Sequence, residues 1–160
     1  MIHASPNLTS SDGTTAVFAI GDTYESGGAT WQYCQATAAA IAAYAICSGT
    51  SPGAAKEATT TTADALGTAG GFACIPQFTV AASEYFWGLV GPFNTNPVDA
   101  SVFKVLAANT TAGALLYSTA TAGVLDDAVT TVLAGLKTTA TVTTQAATAC
   151  TSWRRLGWVR

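Results

Sequence analysis

The feature of this sequence that most constrains its fold is a series of short apolar runs, each ended by glycine, proline or asparagine. The runs are rich in aromatic and β-branched residues, which fit the pleated surface of a sheet. Turn residues recur roughly every 8–12 residues, a spacing typical of β-sandwiches and barrels. In the second half of the chain the expected strands span 72–75, 77–80, 85–90, 101–106, 114–119, 131–136 and 140–144. The sequence therefore predicts an all-β fold, a small β-sandwich or barrel of short antiparallel strands.

In the first half, the segment 29–35 carries the clearest strand pattern. Trp31 and Tyr33 fall on one face of a period-2 alternation, and the pair Gly27-Gly28 stands just before them. A Gly-Gly pair followed by alternating aromatic residues is typical of a hairpin turn and its second strand. We therefore predict a hairpin that turns at these two glycines.

The segment 37–46 allows two interpretations. It is rich in alanine, the best helix former, and Thr37, Ile41 and Tyr44 fall on one helical stripe. The alternative is a pair of short strands around a bend. The stretch that follows, 54–71, is rich in Thr and Gly and is predicted to be a long loop.

The length of 160 residues fits one domain. Residues 1–15 are polar and predict an extended N-terminal arm, ahead of a single β-rich domain at 16–160. The first residues have neither the basic start nor the apolar core of a secretory signal, and no run approaches the ~20 apolar residues of a membrane span. We expect no membrane contact and a chain that stays in the cell or leaves by another route, such as virion release.

Charge is scarce in this chain and limits its partners. Only 9% of the residues are charged, with six basic residues and a net charge of −3. Nucleic-acid binding depends on clustered Lys and Arg, so we expect no nucleic-acid partner. A surface with so little charge is poorly suited to a monomer at high concentration and favours coverage by other subunits.

The residue types that usually carry catalysis are few and scattered. The single histidine, His3, lies in the polar arm, and the adjacent Asp126 and Asp127 would point to opposite faces of an extended segment. No nucleotide-binding or hydrolase motif is present. The cysteines are widely spaced and are expected to be small buried hydrophobic residues: Cys34, Cys47, Cys74 and Cys150. We therefore expect no enzyme activity, no cofactor and no metal.

The C-terminal ten residues combine tryptophan with arginine, the types enriched at protein–protein hot spots. They form either a last strand of the chain's own sheet or an interface, and the sequence leaves both open. The candidate contact residues, taken from the two ends of the chain, are Ile2, Pro6, Leu8, Trp153, Arg154, Arg155 and Trp158.

One stretch of the sequence carries a family pattern. A short strand ends in Ile75-Pro76-Gln77, an Ala-rich bend follows, and Tyr85-Phe86-Trp87-Gly88 leads to Gly91-Pro92. This arrangement resembles the head decoration (capsid cement) proteins of tailed bacteriophages, in which the tetrad reads Tyr-Gly-Trp-Val. Here the glycine follows the tryptophan. Weaker similarity extends over about residues 20–136.

The resemblance implies a β-rich domain, often trimeric, that sits on the outer capsid surface and links major capsid protein subunits. It carries no catalytic residues to transfer, and it favours strands over a helix at 37–46. We therefore expect a structural virion protein that is made in the host cytoplasm and forms a homo-oligomer. The alternatives are a tail or neck component, and a receptor- or glycan-binding module with Trp31 or Trp87 exposed in a groove.

Overall fold

A computed structural model of the protein describes residues 5–37, 39–49, 53–59, 72–91, 104–129 and 133–152. Within these ranges every regular element is a strand and none is a helix, which confirms the predicted all-β fold. The strands are β1 (Thr23–Ser26), β2 (Ala29–Ala36), β3 (Cys47–Gly49), β4 (Ala54–Glu57), β5 (Phe72–Cys74), β6 (Tyr85–Leu89), β7 (Lys104–Ala107), β8 (Leu115–Ser118), β9 (Leu125–Asp126), β10 (Leu133–Thr138) and β11 (Ala146–Ser152).

Strands β1 to β6 form one curled sheet with β2 at its centre. β1 and the parallel strand β4 pair with β2, β6 pairs with it in antiparallel register, and β3 lies between β4 and β5. An isolated bridge between Ile75 and Leu89 brings the chain after β5 back to β6. Gly27 and Gly28, at φ 60° and 77°, form the predicted β1–β2 turn, since such turns need positive φ at both central residues.

The remaining strands form a closed barrel in the order β10-β11-β7-β9-β8. Its pairs are antiparallel except for β7 with β9, which run parallel. Backbone bonds tie the barrel to the curled sheet: Leu106 N donates to Tyr44 O at 2.8 Å, and Ile46 N donates to Gly123 O at 3.0 Å. Closure removes free strand edges from this half of the fold.

The side chains of β2 divide between two apolar cores because neighbouring residues in a strand point to opposite faces. Cys34 and Ala36 point into the curled sheet, where they pack with other small residues and Phe86. Trp31 and Tyr33 point the other way, into the larger core. That core also contains the barrel residues Val105, Leu116, Leu125 and Leu136.

The helical interpretation of 37–46 is wrong. The described residues there, 37 and 39–46, form no helix, and Tyr44 has φ 67°, which a right-handed helix excludes. Of the two short strands in the alternative interpretation, the described residues show only a single β-bridge, between Ile41 and Val80. These tertiary pairings outweigh a helix propensity that differs by only tenths of a kcal/mol per residue.

Other strand predictions need smaller corrections. The segments 77–80 and 140–144 are reduced to single bridges, at Val80 and at Val142 with Thr110. The predicted loop 54–71 begins instead with β4, and its residues 60–71 lie outside the described part of the chain.

Gly88 in β6 leaves the space that the Cys74 side chain occupies inside the curled sheet. A Cβ added there would lie 2.7 Å from Cys74 Sγ and 2.8 Å from Cys74 Cβ. We expect Gly88→Ala to lower the free energy of unfolding by about 1–3 kcal/mol, the usual cost of overfilling a core. Urea unfolding of the purified protein measures this loss.

The cause is checked by adding Cys74→Gly to Gly88→Ala. Removal of both Sγ and Cβ of residue 74 relieves the two contacts shorter than 3 Å, so the double variant is expected to lose less stability than the sum of the two single losses. Simple additivity in this double-mutant cycle would show that the contact with Cys74 is not the cause.

Candidate interaction surface

An aromatic cluster covers the outer face of β2 and β6. Tyr33 lies opposite Trp87 in the strand register, and their ring centroids are 5.1 Å apart. Tyr85 stacks on Tyr33 at 5.8 Å with an interplanar angle of 14°. The cluster follows from the sequence, since aromatic residues two apart on neighbouring strands share one face and pack across it.

Residues 16–22 lie over this cluster and are fastened to it. Phe18 places its ring 5.1 Å from that of Trp87 and 5.3 Å from that of Tyr33, edge-on to both. The Tyr33 hydroxyl accepts a hydrogen bond from Val17 N at 3.1 Å. The backbone of Tyr33 bonds Gly21 N at 2.9 Å and Asp22 O at 2.8 Å. Ring contacts and backbone hydrogen bonds therefore both join this segment to the cluster.

Three large apolar side chains are exposed along this part of the chain. Val17 is 52% exposed, Ile20 44% and Tyr24 38%, and together they are named here the 17–24 surface. The ring of Tyr24 lies 6.0 Å from that of Trp87, and Ile20 lies against the backbone of Gly53. Val129, 81% exposed in the loop after β9, is the other large exposed apolar residue of the described chain.

The described part of the N-terminal arm also lies on the chain's own sheet. Asp12 N donates to Tyr85 O at 2.9 Å, and Tyr85 N donates to Gly13 O at 2.8 Å. Leu8 packs against the larger core, and Pro6 is half-buried. The arm thus extends the β6 edge.

The other candidate contact residues remain predictions. They lie outside the described residues, and the set comprises Ile2, Trp153, Arg154, Arg155 and Trp158.

Most of the described carboxylates fasten loops. Five of them accept a hydrogen bond from a backbone N–H in a nearby turn or a neighbouring segment. The pairs, carboxylate first, are Asp22 with Ala19, Glu57 with Ala42, Glu84 with Ala81, Asp126 with Ala128 and Asp127 with Thr111. Such bonds replace water at backbone groups that no strand ladder satisfies. Burial raises the pKa of the Asp126 carboxyl, and the charge of the adjacent Asp127 adds to the rise.

Two further findings test the sequence predictions. All four cysteines are buried thiols, as expected. Trp31 and Trp87, at 4% and 2% exposure, are core residues, so neither lines the groove that a glycan-binding module would need. In the ranges given above, no three His, Cys, Asp or Glu side chains are arranged to hold a metal ion, and no helix is long and apolar enough to cross a membrane.

Tyr33 should make stability depend on alkaline pH. Burial, with a smaller contribution from Asp12, raises the pKa of Tyr33 from 10.0 to about 12. The unfolded chain therefore loses this proton before the folded chain does. The resulting stabilisation is complete below pH 10 and is lost as the pH rises through about 12.

Urea unfolding of wild type and Tyr33→Phe, followed from neutral pH to pH 12, tests this. The buried Cys150, whose pKa is raised to about 12, gives both proteins some alkaline loss. We expect a smaller loss in Tyr33→Phe, and faster amide exchange at Val17, which loses its acceptor. Equal pH profiles would contradict the assignment.

Comparisons with known proteins give no family to which the chain can be assigned. No family model, no curated protein and no solved structure matches it.

Proposed function

We propose that this chain is a structural virion protein that binds the outer surface of a phage capsid and stabilises it by bridging major capsid protein subunits. The observation that carries the proposal is the 17–24 surface, an exposed apolar group on a backbone fastened to the aromatic cluster. The residue 72–92 pattern, which resembles the head decoration proteins, supports the major capsid protein as the partner.

The fastened backbone supports a role in adhesion. Binding costs less entropy when the contacting segment already has its bound conformation. Tyr33 supplies three of the hydrogen bonds that hold residues 17–22: its hydroxyl accepts from Val17 N, its carbonyl accepts from Gly21 N, and its N–H donates to Asp22 O. The 17–24 surface therefore presents apolar area without first having to order itself.

The scarcity of charge supports a role in a crowded lattice. With 9% charged residues, close approach of neighbouring subunits brings little like-charge repulsion and little charge desolvation. Once one contact of a bridging protein forms, the next becomes effectively intramolecular, so modest contacts sum to a large avidity. A protein that binds the assembled shell better than its separate subunits stabilises the shell by linkage. A trimer, which the family resemblance favours, would multiply these contacts.

A matched pair of charge substitutions tests the surface. Val17→Glu and Val129→Glu each add one carboxylate at an exposed valine, but only the first lies in the 17–24 surface. Purified proteins are added to undecorated capsids of the same phage, and retention after sedimentation is measured together with the temperature of capsid rupture. We expect Val17→Glu to bind at least about tenfold more weakly, because a charge at an apolar contact must be desolvated.

Val129→Glu is expected to bind as wild type does and to raise the rupture temperature equally. Equal loss in both variants would show that the 17–24 surface is not the contact. Failure of the wild-type protein to bind at micromolar concentration would end the capsid proposal, and labelling that decorates tails instead of heads would favour a tail component. Light scattering on the isolated protein is expected to give the mass of a trimer.

A further inference from the structure

Three of the four thiols meet inside the curled sheet. Cys34 in β2, Cys47 in β3 and Cys74 in β5 are completely buried. The sulfur atoms of Cys34 and Cys74 are 3.9 Å apart, and Cys47 lies directly opposite Cys74 in the β3–β5 pair. Cys74 is therefore the shared member of a three-thiol cluster, which the wide spacing of these residues in the sequence conceals.

Gly88 gives the cluster its space. β6 lies between β2 and the chain at the end of β5, and a Cβ at Gly88 would be 2.7 Å from Cys74 Sγ. The sulfur of Cys74 thus occupies the volume that a side chain on β6 would fill. The close packing of thiols depends on this glycine.

Backbone geometry decides which thiol can be joined to Cys74. Cys47 and Cys74 are directly opposite each other in the antiparallel β3–β5 pair, where Cα atoms stand ~4.5–5.5 Å apart. Disulfides usually have Cα separations of ~4.4–6.8 Å. Cys34 is two strands away from β5, roughly 9 Å at the usual strand spacing. Cys47 is therefore the partner that needs no backbone movement.

The surroundings of the thiols differ in a way that gives them different roles. The Cys34 thiol, which donates to Cys74 Sγ, and the neighbouring Cys47 thiol lower the pKa of the Cys74 thiol. Burial raises the pKa of the Cys34 and Cys47 thiols, and the Glu57 carboxylate adds to the rise at Cys47. Cys74 is accordingly the thiol of the cluster that ionises first, and the thiolate is the reactive form.

We propose that Cys47 and Cys74 are a modification site, an oxidisable pair that hydrogen peroxide converts into a disulfide joining β3 to β5. The Cys74 thiolate attacks one peroxide oxygen. The O–O bond breaks, Cys74 becomes a sulfenic acid, and the departing hydroxide takes up the thiol proton as water. The Cys47 sulfur then attacks Cys74 Sγ, and the displaced hydroxyl leaves with the Cys47 proton as a second water. Two thiols and one peroxide thus give one disulfide and two waters.

The position of the bond gives it a structural consequence. It closes the segment 48–73, which contains the Thr- and Gly-rich stretch, at its base. A cross-link that closes a loop of this length restricts the unfolded chain and stabilises the folded one. The inference needs no capsid and therefore stands or falls separately from the proposed function.

Mass spectrometry of the full-length wild-type protein tests the proposal. The reduced protein is treated with hydrogen peroxide, unfolded in acid, alkylated with N-ethylmaleimide and mapped by proteolysis. We expect a loss of mass equal to two hydrogen atoms, alkylation of Cys34 and Cys150, and a peptide linking Cys47 to Cys74. The midpoint of thermal unfolding is expected to rise by about 10 °C and to return on addition of dithiothreitol.

Single cysteine-to-alanine variants test which thiols form the cross-link. Cys34→Ala and Cys150→Ala are expected to keep the cross-link, and Cys47→Ala and Cys74→Ala to lose both the cross-link and the thermal shift. Each variant is compared with its own reduced form, so that the stability cost of the substitution itself cancels. Alkylation of all four thiols after peroxide treatment, or a peptide linking Cys34 to Cys74, would overturn the proposal.

Discussion

The two faces of strand β2 carry side chains of very different size, and the rest of the fold depends on that division. The outer face supplies Trp31 and Tyr33 to the larger core, and the inner face supplies Cys34 and Ala36 to the narrow interior of the curled sheet. A slip of one residue in the pairing would exchange the faces. Large rings would then enter an interior with no space for them, so packing fixes the register of β2 against three partner strands.

The alanine- and threonine-rich composition has a structural use in both sheets. Small inner residues such as Ala55 and Gly88 let the first sheet curl tightly, because close-packed interiors leave no room for larger ones. Threonine hydroxyls donate to backbone carbonyls in the barrel, as Thr138 does to Thr111 O at 3.1 Å and Thr139 to Ala149 O at 3.2 Å. Carboxylates complement them by accepting from backbone N–H groups. Few charges are needed when the polar groups of the loops are satisfied in this way.

The strands that the sequence predicts correctly are those with a local signal. Trp31 and Tyr33 alternate after a Gly-Gly turn, and Tyr85 to Leu89 is rich in aromatic residues, so both strands could be located from neighbouring residues alone. β11 is composed of Ala, Thr, Cys and Ser, and only its pairing with β7 and β10 makes it a strand. A strand that is stabilised mainly by distant partners has no recognisable strand pattern in its own residues.

Dependence on distant partners also explains which parts of the candidate sites the sequence did not predict. The exposure of Val17 and Ile20 depends on the backbone bonds to Tyr33, and the thiol cluster depends on the order of four strands and on Gly88. An apolar run such as 16–20 looks like core when only its own residues are considered. It lies on the surface because the rings of the aromatic cluster already fill the space beneath it. Exposure is a property of the assembled sheet and is not encoded by the segment itself.

The two proposed sites share strand β2 and lie on opposite faces of it. Tyr33 holds residues 17–22 on the outer face, and its neighbour Cys34 contacts the thiol cluster on the inner face. Because neighbouring residues of a strand point to opposite faces, packing around Cys34 and the hydrogen bonds of Tyr33 constrain the same stretch of backbone from its two sides.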